Sequence, residues 1–146
     1  MVRRLLPWHA NLGKRLVKSP KIYFRDTGLL HALLGIQDAV QLLTHPKLGA
    51  SWEGFVVEQL LREEAPEEAW FYAVHSGAEL DLLMVKRGRR IGVEVKRADA
   101  PALTRSMRTA RADLELDELW IIYPGARTFH LDDGVVVRPL AAPPES

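Results

Sequence analysis

Residues 79–85 read Glu-Leu-Asp-Leu-Leu-Met-Val and residues 91–96 read Ile-Gly-Val-Glu-Val-Lys, two β-prone runs joined by the polar stretch Lys86-Arg87-Gly88-Arg89-Arg90. This pattern predicts a β-hairpin with a glycine-containing turn. Strict alternation sets Glu79, Asp81, Leu83 and Val85 on one face and Leu80, Leu82 and Met84 on the other. On the second strand it sets Glu94 and Lys96 on one face and Val93 and Val95 on the other. Upstream, Trp52, Phe55, Val56, Gln59, Leu60 and Glu63 recur at helical spacing, with Ser51 able to cap the start and Pro66 to end the helix. Downstream, Leu103, Met107, Ala110 and Leu114 predict a second helix, opened by Pro101. Strands are expected at 70–74 and 118–123, and an edge hairpin at 129–131 and 135–139, turning at Asp132-Asp133-Gly134. Near the N-terminus, β-prone pieces at 2–8 and 22–24 flank a basic segment. A short helix over 29–34 should follow, begun by Asp26-Thr27-Gly28 and closed by Gly35, and then a loop with one apolar turn at 40–43.

The order helix, three strands, helix, strand predicts an α/β sandwich: a central mixed sheet with a helix on each face. A small basic hairpin and helix extension over residues 1–48 precedes this domain, which spans 49–146. At 146 residues and 47% hydrophobic content the chain is long enough to bury a core without staples. The absence of cysteine excludes disulfides and thiolate chemistry and fits a reducing compartment. No apolar run approaches a membrane span, and the stretch after Arg3-Arg4 is too short for a signal peptide. A cytoplasmic location is the expectation.

The net charge is only +1, but the charges are segregated. Residues 1–25 carry seven Lys or Arg and no acid, residues 86–111 carry nine basic residues against two acids, and residues 53–68 carry six glutamates. Such polarity can seat an anionic polymer. The candidates for phosphate contacts are Lys14, Arg15, Lys18 and Lys21 in the N-terminal segment, and Arg105, Arg108 and Arg111, three apart on the second helix. A solvated loop and a solvated helix face are the ordinary alternatives.

Asp81, Glu94 and Lys96 are the candidate chemistry. An acid in a strand this apolar carries a heavy desolvation penalty unless a metal, a cation or water meets it. Taken singly, each residue reads as part of a salt-bridged patch. Together, two carboxylates from adjacent strands can hold Mg²⁺ or Mn²⁺ through oxygen and leave room for water and phosphate.

Asp81 followed by Glu94-Val95-Lys96, with Ser76-Gly77 ahead of the acidic strand and Gly49-x-x-x-Glu53 upstream, resembles the PD-(D/E)XK nuclease superfamily, in particular its archaeal junction-resolving members. Leu80 stands where proline often precedes the acid. Nearly the whole chain is similar to the C-terminal domain of unknown function carried by archaeal and bacterial AAA-type ATPases. The strings that carry this likeness are Lys-Ser-Pro-Lys-Ile-Tyr-Phe-Arg-Asp-Thr-Gly-Leu-Leu from Lys18, His-Pro-Lys-Leu-Gly-Ala-Ser-Trp-Glu-Gly-Phe-Val-Val-Glu from His45, and Ser-Gly-Ala-Glu-Leu-Asp-Leu-Leu from Ser76.

The resemblance implies a restriction-endonuclease-like fold and metal-dependent hydrolysis of DNA phosphodiesters. Asp81, Glu94 and the Val95 carbonyl would hold the metal, Lys96 would act on water, and Glu53 would support the metal or its water. It also implies that the chain follows an ATPase core and that residues 1–48 are a remnant of a winged-helix-like segment. The chain itself has no P-loop, so ATP would bind elsewhere. A glutamate in a helix's first turn is also favoured by the helix dipole whatever its function. Glu58 lies five residues on, about 140 degrees around the helix, so only one of the two can face the site. The rival reading is a non-catalytic module that docks DNA or protein. The oligomeric state is not legible in the sequence.

Overall fold

The computed structural model describes residues 1–9 and 19–141. Strands β1 (Val2–Leu5) and β2 (Lys21–Phe24) pair antiparallel, and the helices α1 (Thr27–Leu33), α2 (Ala39–Thr44) and α3 (Leu48–Glu64) follow. The second sheet is built from β3 (Glu68–Ala73), β4 (Glu79–Lys86), β5 (Arg89–Val95), β6 (Glu118–Tyr123), β7 (Phe129–Asp132) and β8 (Val135–Pro139), with α4 (Arg105–Asp113) crossing between β5 and β6. Its spatial order is β3-β4-β5-β6-β8-β7. The first three strands form an antiparallel meander, while β5–β6 and β6–β8 are parallel. The molecule is therefore a mixed α/β sandwich with one six-stranded mixed sheet between helices.

Two buried clusters lie on opposite faces of this sheet. Val56, Val57 and Leu60 of α3 pack with Phe71, Leu82, Met84, Ile91, Val93, Trp120 and Ile122. Met107 and Ala110 of α4 pack with Tyr72, Leu80, Leu83, Leu119, Ile121, Val135 and Val137. Helix α3 is also buried on a second side, where Ser51, Gly54 and Glu58 face the N-terminal extension. The Tyr23 ring lies only 3.1 Å from where a Cβ on Gly54 would stand.

Several sequence expectations are corrected. The alternation along β4 breaks at a β-bulge: Trp70 pairs with Leu83 but Tyr72 pairs with Leu80, so β4 carries one extra residue across this interval. Leu80 and Leu83 consequently share the α4 face, and Leu80 is not beside Leu82 and Met84. The extra residue falls at Asp81 and Leu82, opposite Phe71. The expected edge hairpin is present as β7–β8, with β7 outermost and β8 pairing parallel with β6. Helix α4 begins at Arg105, capped by the Thr104 hydroxyl, which accepts from the Met107 N–H at 3.2 Å, so Pro101 precedes the helix and does not open it. Ser51 is not a cap: it lies inside α3, 2.6 Å from His31 Nε2, and Lys47 occupies the cap position without a side-chain bond. Phe55, expected in the core, is exposed and stacks on Trp52.

A candidate acid and lysine site where two strands part

The pairing of β4 with β5 ends at Leu82 and Val93. One step further the strands stop bonding through their backbones, because the bulge has turned Asp81 out of line. Its side chain replaces the missing ladder partner: Oδ2 accepts from the Val95 N–H at 2.8 Å. The other oxygen, Oδ1, lies 3.5 Å from Lys21 Nζ. Beyond β5 the backbone of Lys96 turns to β6, donating its N–H to the Ile122 carbonyl at 2.9 Å. The acids thus sit where two neighbouring strands part, and the Val95 peptide is clamped between them.

Glu94 leaves β5 on the side of Gly92, which faces Leu80, Leu116 and Leu119, whereas Asp81 turns toward α3 and the extension. The two carboxylates do not share one flat face, yet the charge of Asp81 is felt at Glu94. Glu94 is 5% exposed; its Oε1 lies 2.9 Å from Lys96 Nζ, while its Oε2 is buried without a hydrogen-bond partner. Burial, and then the negative charge of Asp81, push the Glu94 carboxyl up to about 7 against the pull of Lys96. Asp81 is pushed up to about 6 by burial and by the charge of Glu53, opposed by the Val95 N–H and Lys21. Exposed Glu79 adds to the negative field at both. Burial alone would lower Lys96, but its bond to Glu94 and the surrounding acids outweigh it and hold the ammonium raised.

Glu53 reaches the cluster from α3, where its Oε1 accepts from Lys21 Nζ at 3.0 Å and from the Tyr23 hydroxyl at 2.5 Å. Glu58 points elsewhere. It is 6% exposed, bound by Arg3 Nη2 at 3.0 Å and by Arg25 Nε at 3.1 Å, and held below the usual carboxylate range chiefly by its bond to Arg3. Of the two glutamates, Glu53 is the one near Asp81.

The basic candidates divide. Lys14, Arg15 and Lys18 lie outside the described residues. Lys21 is engaged by Glu53 and Asp81 and not displayed to solvent phosphate. Arg105 and Arg108 are exposed on α4. Arg111 is half-buried, donating to the Asp133 carbonyl and pairing with Asp132 at 3.4 Å, so it fastens α4 to the β7–β8 turn. The place of Lys21 and Tyr23 at the acids was not foreseen. No local pattern marks it, since the contact joins residues 60 apart in sequence.

Among the described residues no group of three or more His, Asp or Glu side chains is arranged to hold a metal ion. A two-carboxylate arrangement remains, and Mg²⁺ commonly takes only one or two protein carboxylates, filling its shell with water and phosphate. The orphaned Glu94 Oε2 and the mutual repulsion with Asp81 are what such a cation would relieve.

Fold and site together define an α/β domain with a buried acid and lysine cluster at the parting of two central strands. The chain belongs to the family described as a domain of unknown function, DUF4143, whose model matches residues 48–142; residues 1–40 match a second domain of unknown function, DUF8612. It is similar to an uncharacterized protein of Mycobacterium tuberculosis and to one of Mycobacterium bovis, each 54% identical over 139 residues, which is 95% of this chain and 32% of the relative. The chain spans about a third of the length of these curated relatives. No solved structure matches it. Among the described residues no helix is long and apolar enough to cross a membrane.

Proposed function

We propose that this domain hydrolyses DNA phosphodiesters with a divalent cation, Mg²⁺ or Mn²⁺, and that it serves as the C-terminal part of an AAA-type ATPase in the cytoplasm. The observation that carries the reading is the buried, unpartnered Glu94 Oε2 beside a second buried carboxylate, Asp81, whose charge repels it. Leaving a carboxylate oxygen dry and unbonded is unfavourable unless something cationic completes it. The resemblance of Asp81 and Glu94-Val95-Lys96 to the PD-(D/E)XK nucleases, with the restriction-endonuclease-like fold it implies, points the same way.

In this reading Asp81, Glu94 and the Val95 carbonyl hold the cation, and Glu53 supports it or its water. The bound cation would supply a Lewis acid for the phosphoryl oxygens and an acidified water. Lys96 stays protonated beside Glu94, so it orients the water and balances charge on the phosphorane oxygens rather than taking the proton. The N–H of Val95, bonded to Asp81, keeps that carboxylate aimed at the strand end.

A second reading is favoured by a separate observation: Lys21 already places a positive charge between Glu53 and Asp81 from within the chain. On that reading the acids are structural and the domain docks DNA or protein without cutting. Titration with Mg²⁺ and Mn²⁺, followed by cleavage assays on single-stranded, duplex and branched DNA, separates the two. Cation-dependent cleavage abolished by Asp81→Asn and Glu94→Gln is expected. Failure of every substrate with both cations would leave the docking module.

A further inference from the structure

Lys21 occupies a telling position. It lies within residues 1–40, the stretch matched by DUF8612, whereas Glu53 and Asp81 lie within residues 48–142, matched by DUF4143. Its ammonium sits between them, 3.0 Å from Glu53 Oε1 and 3.5 Å from Asp81 Oδ1, with its side chain only 33% exposed. We infer that Lys21 is a built-in counter-ion to Glu53 and Asp81 which yields its place when a divalent cation loads, so that the N-terminal extension governs loading of the acid site.

This rests on the cation reading above and adds to it a competing residue contributed by the extension. Position and charge favour exchange over addition. Lys21 Nζ stands on the oxygens that Glu53 and Asp81 would offer a cation, and an ammonium and a divalent cation on the same two carboxylates repel each other. Like charges crowded into a partly buried site repel strongly, because the surroundings screen them less than water does.

The exchange requires only a side-chain movement. Strands β1 and β2 are fastened independently of Lys21, by Arg3 and Arg25 on Glu58 and by backbone bonds from Trp8 N–H to the Phe71 carbonyl at 2.7 Å and from Phe71 N–H to the Leu6 carbonyl at 3.0 Å. A lysine stem has four rotatable carbons, and the Lys21 side chain is already 33% exposed, so the ammonium can swing outward without moving the backbone. Tyr23, bonded to Glu53, holds that carboxylate in position while the lysine leaves.

The test measures Mn²⁺ binding at pH 8 by calorimetry for the wild type, Lys21→Met and Lys21→Arg, alongside the rate at which an amine-acylating reagent labels Lys21, read by mass spectrometry. Removing the competing charge should tighten Mn²⁺ binding in Lys21→Met on the order of tenfold, while Lys21→Arg tracks the wild type. Saturating Mn²⁺ should also speed acylation of Lys21 in the wild-type protein, a readout that stands even if Lys21→Met fails to fold. Equal affinity of Lys21→Met and wild type, or acylation unchanged by bound Mn²⁺, overturns the exchange and leaves the cation reading intact. No Mn²⁺ bound by either protein at millimolar concentration overturns the cation reading and the exchange together.

Discussion

Asp81 and Glu94 are carboxyls that the fold holds partly protonated near neutral pH, and this has a thermodynamic sign. Both folded values, about 6 and about 7, lie above the ordinary carboxylate range. The folded state therefore binds more protons than the unfolded chain between roughly pH 4 and 7, and stability falls as pH rises through that window. Thermal melts of the cation-free protein should show Tm decreasing by several degrees between pH 5 and pH 7.5, with Asp81→Asn and Glu94→Gln flattening the slope. A melting temperature that climbs steadily over this range would refute the strained carboxyl pair. Glu58 works with the opposite sign but at lower pH, because its folded value is depressed. At this scale the sequence picked out Glu53, Asp81 and Glu94 as the candidate acids. It did not show how they meet: the bulge at Asp81 depends on how β4 pairs with β3, and no glycine or proline marks it in the sequence.

Elements whose bonds are local were the legible ones. The β4–β5 turn is set by Arg87 and Gly88, at φ 52° and 75°, in the left-handed region that tight hairpins favour. The angular offset that set Glu53 and Glu58 on different sides of α3 needs nothing beyond the helical period. What escaped reading was settled by distant partners, as with β8, whose parallel seat beside β6 is decided by packing and not by its own residues. The N-terminus of α4 was misplaced because two start signals compete, and the hydrogen bond from Met107 to Thr104 prevails over the ring of Pro101. The contact between α3 and β2 makes an element-scale prediction. A side chain at position 54 larger than hydrogen must displace the Tyr23 ring, 3.1 Å away, and with it the Lys21 end of β2. Gly54→Leu should cost about 1–3 kcal/mol by overpacking, read as a lowered urea midpoint, and should speed hydrogen exchange in β2. Wild-type stability in this variant would mean that β2 is not seated as described.

At the scale of the molecule, the described residues leave fewer free cations than their sequence suggests, because Arg3 and Arg25 serve Glu58, Lys21 serves Glu53 and Asp81, and Arg111 serves the β7–β8 turn. Arg105 and Arg108 remain exposed on α4, with Arg105 beside the loop at Gly77. If DNA tracks this surface, Arg105→Glu with Arg108→Glu should weaken binding and lower the slope of log affinity against log salt by about 0.9 per lost duplex phosphate contact. Arg111→Glu should act mainly on stability. An unchanged salt slope in the double variant would clear α4 of contact with nucleic acid.

The backbone bonds from Leu6 and Trp8 to Phe71 have a further consequence, for solubility. They occupy the outer edge of β3 at Phe71, where unpaired N–H and C=O groups would otherwise face any passing chain, the usual starting point for strand-by-strand self-association. The two stretches matched by separate family models are therefore not two beads on a string. A polypeptide of residues 48–141 alone should bare that margin, and light scattering should find it in dimers or larger assemblies where the whole chain, under the same conditions, does not add strands at β3.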